Sequence, residues 1–96
     1  MDVQFRDKKM GVQIKNASKY FGAHAEKIQK LYYILSNAGG INDIKGLPQL
    51  ACHQLQGNRQ GTYALKIDKR FRLTFRLLIS KAGTVIEIIN LLEQYH

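Results

Sequence analysis

An α+β fold follows from the order of two patterns along the chain. Helical spacing fills the first half, and alternating strands separated by sharp turns fill the second. N-terminal helices then cover one face of a small antiparallel sheet. With 96 residues, 45% of them hydrophobic, the chain forms a single domain spanning residues 1–96, built on a modest core.

Taken in order, Val3 and Phe5 alternate with Gln4 and Arg6 as in a short first strand. From Asp7 to Phe21 the chain is polar and only weakly periodic. Between Ala23 and Asn37 the residues Ala25, Ile28, Leu31, Tyr32 and Leu35 recur at helical spacing, with Glu26, Lys27, Gln29 and Lys30 on the other side. This is the best helix of the sequence. Ala38-Gly39-Gly40 stops it, Ile41 to Lys45 adds one more turn, and Gly46-Leu47-Pro48 forces an irregular connection.

After Pro48 the period changes. Tyr63, Leu65 and Ile67 alternate with Thr62, Ala64 and Lys66. Beyond the polar run Asp68-Lys69-Arg70, the residues Phe71, Leu73, Phe75 and Leu77 alternate with Arg72, Thr74 and Arg76, which predicts a hairpin. Ser80-Lys81-Ala82-Gly83 makes the next turn, and Thr84 to Asn90 is rich in Val and Ile, as in a buried strand.

Fifteen Lys and Arg stand against seven Asp and Glu, a formal net charge of +8. Such a surface attracts polyanions, whether nucleic acid, an anionic membrane or an acidic protein. Cys52 is the single cysteine, which excludes an intramolecular disulfide and fits a reducing cytoplasm. The N-terminus lacks the apolar core of a signal peptide, and no stretch reaches the length of a membrane span.

Arg72, Thr74 and Arg76 share one strand face, and Lys66 joins them in a simple hairpin register. Guanidinium groups on such a face grip phosphate oxygens in paired hydrogen bonds, although the same alternation equally describes the solvated side of a half-buried sheet. Gln56-Gly57-Asn58-Arg59-Gln60-Gly61 sets a basic residue between two glycines. That arrangement suits either close approach to a ligand or an ordinary turn. Tyr95 and His96 end the chain with a phenol and an imidazole, groups able to transfer protons near neutral pH when they meet a substrate. RNA cleavage without metal needs the 2′-hydroxyl deprotonated, the phosphorane stabilised by cations and the leaving 5′-oxygen protonated, and Arg, Lys, Tyr and His supply all three. Paired carboxylates, HExxH, a P-loop and Cys/His metal spacing are all missing, so neither a metal nor another cofactor is expected.

The stretch from Cys52 to Phe75, CHQLQGNRQGTYALKIDKRFRLTF, resembles the HigB-like (host-inhibition or proteic killer) branch of the RelE/ParE toxin superfamily, whose form is close to HxLKGxRxGxWSIxVxxxWRIxF. The likeness continues through Val85 to Ile89 into Gln94-Tyr95-His96, similar to that family's terminal Asp-Tyr-His, while the first half matches in outline. The resemblance implies a RelE-like fold and a ribosome-dependent messenger RNA endonuclease without metal. It implies a cognate, HigA-like helix-turn-helix antitoxin, through which alone operator DNA is reached, and the ribosome and messenger RNA as further partners.

Carried over by position, the catalytic candidates are His53, Arg59, Arg72, Tyr95 and His96, with Arg72 as the phosphate-stabilising cation and Tyr95 or His96 as proton-transfer groups. RNA contacts fall to Lys66, Lys69, Arg70, Arg76, Gln56 and Asn58. Three positions depart from the family form: Gln56 replaces a Lys, Asn58 an Asp, and Gln94 an acidic residue or His. Two alternatives therefore stand beside the nuclease: a ParE-like inhibitor of DNA gyrase, and a catalytically weakened member that mainly binds its antitoxin.

Overall fold

A computed structural model describes residues 1–95 of the chain. Five strands form one sheet in the order β1-β5-β4-β3-β2. β1 (Asp2–Phe5) opens the chain, and Asp7 caps the helix that follows, its carboxylate accepting from the Lys9 backbone N–H at 2.7 Å. The polar stretch after β1 is two helices, α1 (Lys8–Lys15) and α2 (Ala17–Phe21), anchored by buried Ile14 and Ala17. With so few apolar anchors, the helical period was faint in the sequence.

A 3-10 turn at Gly22–His24 leads into α3 (Ala25–Asn37), whose Ala25, Ile28, Leu31 and Leu35 are buried, the stripe expected from the spacing. α4 (Ile41–Lys45) follows, then a 3-10 turn at Pro48–Leu50. Among the described residues no helix is long and apolar enough to cross a membrane.

β2 (His53–Gln54), β3 (Thr62–Lys66), β4 (Phe71–Ser80) and β5 (Gly83–Gln94) pair antiparallel in succession. β1 is the exception to an antiparallel sheet, because it joins the free edge of β5 in parallel, Asp2 opposite Val85 and Phe5 opposite Ile88. Alternation reports which face a residue takes and carries nothing about the direction of the neighbouring strand.

The helices cover one sheet face. Leu65, Leu73, Phe75, Ile86 and Ile88 lie fully buried with Ile28, Leu31 and Leu35 of α3. Each such side chain contributes on the order of 2 kcal/mol of hydrophobic free energy. Asp68 ties the helical layer to the β3–β4 turn, accepting from the backbone N–H groups of Arg70 and Phe71 at 2.8 and 2.9 Å and meeting His24 Nε2 at 2.8 Å. The candidate site lies on the other face of the sheet.

Candidate active site

On the face away from the helices, Thr62 lies opposite Arg76, Ala64 opposite Thr74, and Lys66 opposite Arg72, the register expected for this hairpin. β5 completes the face in a less regular way. From Arg72 to Phe75 β4 takes three steps, while the partners on β5, Glu93 to Ile88, take five. The two extra residues are bulges on β5. Regular pairing continued from Phe75 opposite Ile88 would bring apolar Leu91 opposite Arg72, whereas the bulges bring Glu93 there instead.

Glu93 is the hub of the site. Arg59 donates to it as a fork, Nη1 to Oε2 and Nη2 to Oε1, both at 2.8 Å. Arg72 donates through Nε to Oε2 at 2.7 Å, and Thr74 Oγ1 lies 3.4 Å from Oε1. The Arg72 and Glu93 side chains are only 13% and 12% exposed, against 35% for Arg59. Hydrogen bonds from Arg59, assisted by Arg72 and opposed by burial, pull the Glu93 carboxyl down to about 2, and the same bond to Glu93 raises Arg59 above its ordinary value. So acidic a carboxyl stays ionised and accepts no proton near neutral pH.

The loop that delivers Arg59 depends on its two glycines. A 3-10 turn at Gly57–Arg59 is flanked by Gly57 at φ 71° and Gly61 at φ 90°, and the Leu55 backbone N–H closes the loop onto the Thr62 carbonyl at 2.8 Å. Gln56 and Asn58 lie exposed in it. Tyr95 is held by its backbone N–H, which donates to the Arg70 carbonyl at 2.9 Å, and the Arg72 guanidinium carbon sits 5.1 Å from the centre of its ring. Arg59, Arg72 and Tyr95, distant in sequence, thus converge on one spot.

His53 stands apart, exposed on β2 opposite Ala64, with β3 between it and β4. Its Nδ1 lies 3.0 Å from the Ala51 carbonyl oxygen. A carbonyl only accepts, so Nδ1 carries the hydrogen and the neutral ring keeps Nε2 as a proton acceptor. Ala51 holds this position in a left-handed conformation, φ 49°.

The remaining cations are dispersed. Lys66 and Lys69 are exposed, Arg70 lies over the Phe71 ring, its guanidinium carbon 5.6 Å from the centre, and Arg76 donates through Nε to Glu87 Oε1 at 2.6 Å. The cationic face read from the sequence is therefore in part an internally neutralised one, since Glu93 answers Arg72 and Glu87 answers Arg76, and Glu93 also holds Arg59 of the glycine-bounded loop. Their carboxylates were missing from the sequence reading. The available signal was their scarcity: two of only seven acids sit in the last strand, facing a strand of arginines. His96 lies outside the described residues.

A five-stranded sheet backed by helices on one side is the fold of the RelE/YoeB-like toxins. It is similar to the YoeB/ParE toxin from Agrobacterium tumefaciens at a TM-score of 0.63 and 17% identity, with both chains covered in full. It is similar also to a chain of the YoeB-YefM complex from Staphylococcus aureus at 0.61 and 18%, covering 100% of this chain and 97% of that one. The YoeB dimer from Staphylococcus aureus aligns over the same shares at 0.56 and 18%. Residues 4–96 match the model of the HigB-like toxins, described as the RelE-like toxin of the type II toxin-antitoxin system HigB, and the chain belongs to that family. No curated protein matches it.

Proposed function

We propose that this toxin is a metal-independent endoribonuclease that cuts messenger RNA on the ribosome in the cytoplasm and thereby stops translation. The observation that supports this reading most is the convergence of Arg59, Arg72 and Tyr95 at one end of the polar sheet face. A 2′-oxygen that attacks the adjacent phosphorus forms a cyclic phosphate and expels the 5′-oxygen, so one proton leaves the 2′-hydroxyl and one reaches the leaving oxygen. Arg72, stacked on Tyr95 and fixed by Glu93, stabilises charge on the phosphorane. Tyr95, as a phenol beside that cation, protonates the leaving group, and His53 Nε2 is suited to accept the first proton when the RNA spans the face. His96 takes either role. Lys66, Lys69, Arg70 and Arg76, with Gln56 and Asn58, follow the RNA backbone.

Its neutralising partner is a cognate antitoxin of the HigA-like, helix-turn-helix kind, which alone brings the complex to operator DNA. A second reading, a weakened member that mainly binds this antitoxin, draws support from Glu93, which pairs with both arginines of the site, and from the neutral Gln56 and Gln94.

Messenger RNA cleavage by the purified protein on translating ribosomes, without added metal, tests the proposal. Arg72→Ala lowers cleavage by about two to three orders of magnitude while the fold is retained. Undiminished cleavage in that variant removes Arg72 from the chemistry. Intact messenger RNA with arrested DNA supercoiling redirects the reading to a ParE-like gyrase inhibitor.

A further inference from the structure

A carboxylate that stays ionised moves no proton in RNA cleavage by 2′-hydroxyl attack, yet Glu93 gathers Arg59, Arg72 and Thr74 around itself on the polar face. Arg59 spends both Nη atoms on the two carboxylate oxygens, the bidentate grip that a guanidinium applies to two phosphate oxygens. Among the described residues Arg72 donates to Glu93 through Nε, a single bond against the two-point fork of Arg59. Burial separates the two arginines further, since Arg72 and Glu93 are fixed at 13% and 12% exposure while Arg59 is 35% exposed on a loop bounded by glycines.

We propose that Glu93 is a built-in phosphate mimic: in the free toxin it occupies the Arg59 fork, and an RNA phosphate binds by taking Arg59 from it while Glu93 keeps Arg72 in position. This rests on the reading of the face as RNA-binding. Exchange of a carboxylate for a phosphate leaves Arg59 paired throughout, so entry of RNA strips no charge bare. The same carboxylate screens two arginines that share one oxygen within 2.8 Å and would otherwise repel each other. Glu93 is thus a positioning residue for Arg72 and a competitor for Arg59. The toxin's affinity for RNA is set by that competition.

The probe is a short fluorescently labelled single-stranded oligouridine, its binding to the full chain read by anisotropy over a range of salt, with no ribosomes present. Glu93→Gln, folded by circular dichroism, binds about tenfold more tightly than wild type. Its dependence of log affinity on log salt steepens by about 0.7, one further phosphate neutralised. A folded variant with unchanged or weaker affinity and an unchanged slope marks Glu93 as a structural staple and overturns the proposal, as does an oligonucleotide that neither protein binds. Should Glu93→Gln fail to fold, wild type decides by nitrogen NMR of its arginine side chains. At saturation the Arg59 guanidinium signals shift while Arg72 Nε–H keeps its Glu93-bonded position, and unmoved Arg59 signals refute the exchange. Tighter binding by the variant without messenger RNA cleavage on ribosomes sinks the nuclease reading alone. Cleavage with unaltered affinity sinks this one alone.

Discussion

β4 and β5 carry two arginine–glutamate centres on the same face, and they differ in burial more than in chemistry. At the chain-terminal end, Glu93 meets Arg59 and Arg72 with 12% of its side chain exposed. Near the hairpin turn, Glu87 is as buried, at 12%, but Arg76, its single ion-pair partner among the described residues, is 51% exposed. Coulomb attraction strengthens as water is removed, so the first centre is rigid and energetically committed while the second is a rim contact. The chain thus fixes its cations at the chain-terminal end of the face and leaves Arg76 half exposed near the hairpin turn.

Removing the carboxylate of the committed centre gives the largest effect on stability. Glu93→Ala leaves Arg72 at 13% exposure without its counter-charge and destabilises the fold by about 3 kcal/mol, measured by urea unfolding. A loss under about 1 kcal/mol would make the two centres equivalent.

Acid sharpens the comparison next. The Glu93 carboxyl titrates at about 2 in the folded chain against an ordinary 4.5, so its contribution is complete above pH 4.5 and is lost as pH falls toward 2. Asp68, also held below its ordinary value, first by the Arg70 backbone N–H, contributes stability in the same direction over the acid range. The stability difference between wild type and Glu93→Gln, followed by urea unfolding from pH 5 to 2, therefore shrinks with falling pH and isolates Glu93. A difference constant with pH would mean that the carboxyl is not ionised by its arginines. The smallest effect belongs to the rim, where Arg76→Ala leaves the 12%-exposed Glu87 carboxylate without its partner and costs about 1 kcal/mol, while lowering the affinity for oligouridine only a few-fold.

How much of this was legible varies with the kind of information each element carries. α3 and the β3–β4 hairpin were plain, because Ile28, Leu31 and Leu35 repeat at helical spacing and Leu65, Leu73 and Phe75 at strand spacing, and periodicity is a local property. α1 and α2 were hidden because each buries a single residue, Ile14 and Ala17, with Met10 and Phe21 only partly covered. β5 was read as ending at Asn90, four residues before Gln94. Its bulges interrupt the alternation and obscured the strand where Glu93 lies. Arg59, Arg72 and Tyr95 were singled out from the chain, but the carboxylate that joins two of them was not.

The sequence by itself determined the α+β order, the core stripe of α3, the hairpin register that sets Lys66 beside Arg72, and the family to which the chain belongs. These depend on residue type and short-range spacing, which a linear chain displays directly. Only the tertiary structure decided that β1 closes the sheet in parallel, that a loop thirty-four residues away brings Arg59 to Glu93, and that two bulges replace Leu91 by Glu93 opposite Arg72. Those outcomes depend on strand direction and cross-strand register, which are properties of pairs of segments and are fixed only when the segments pack.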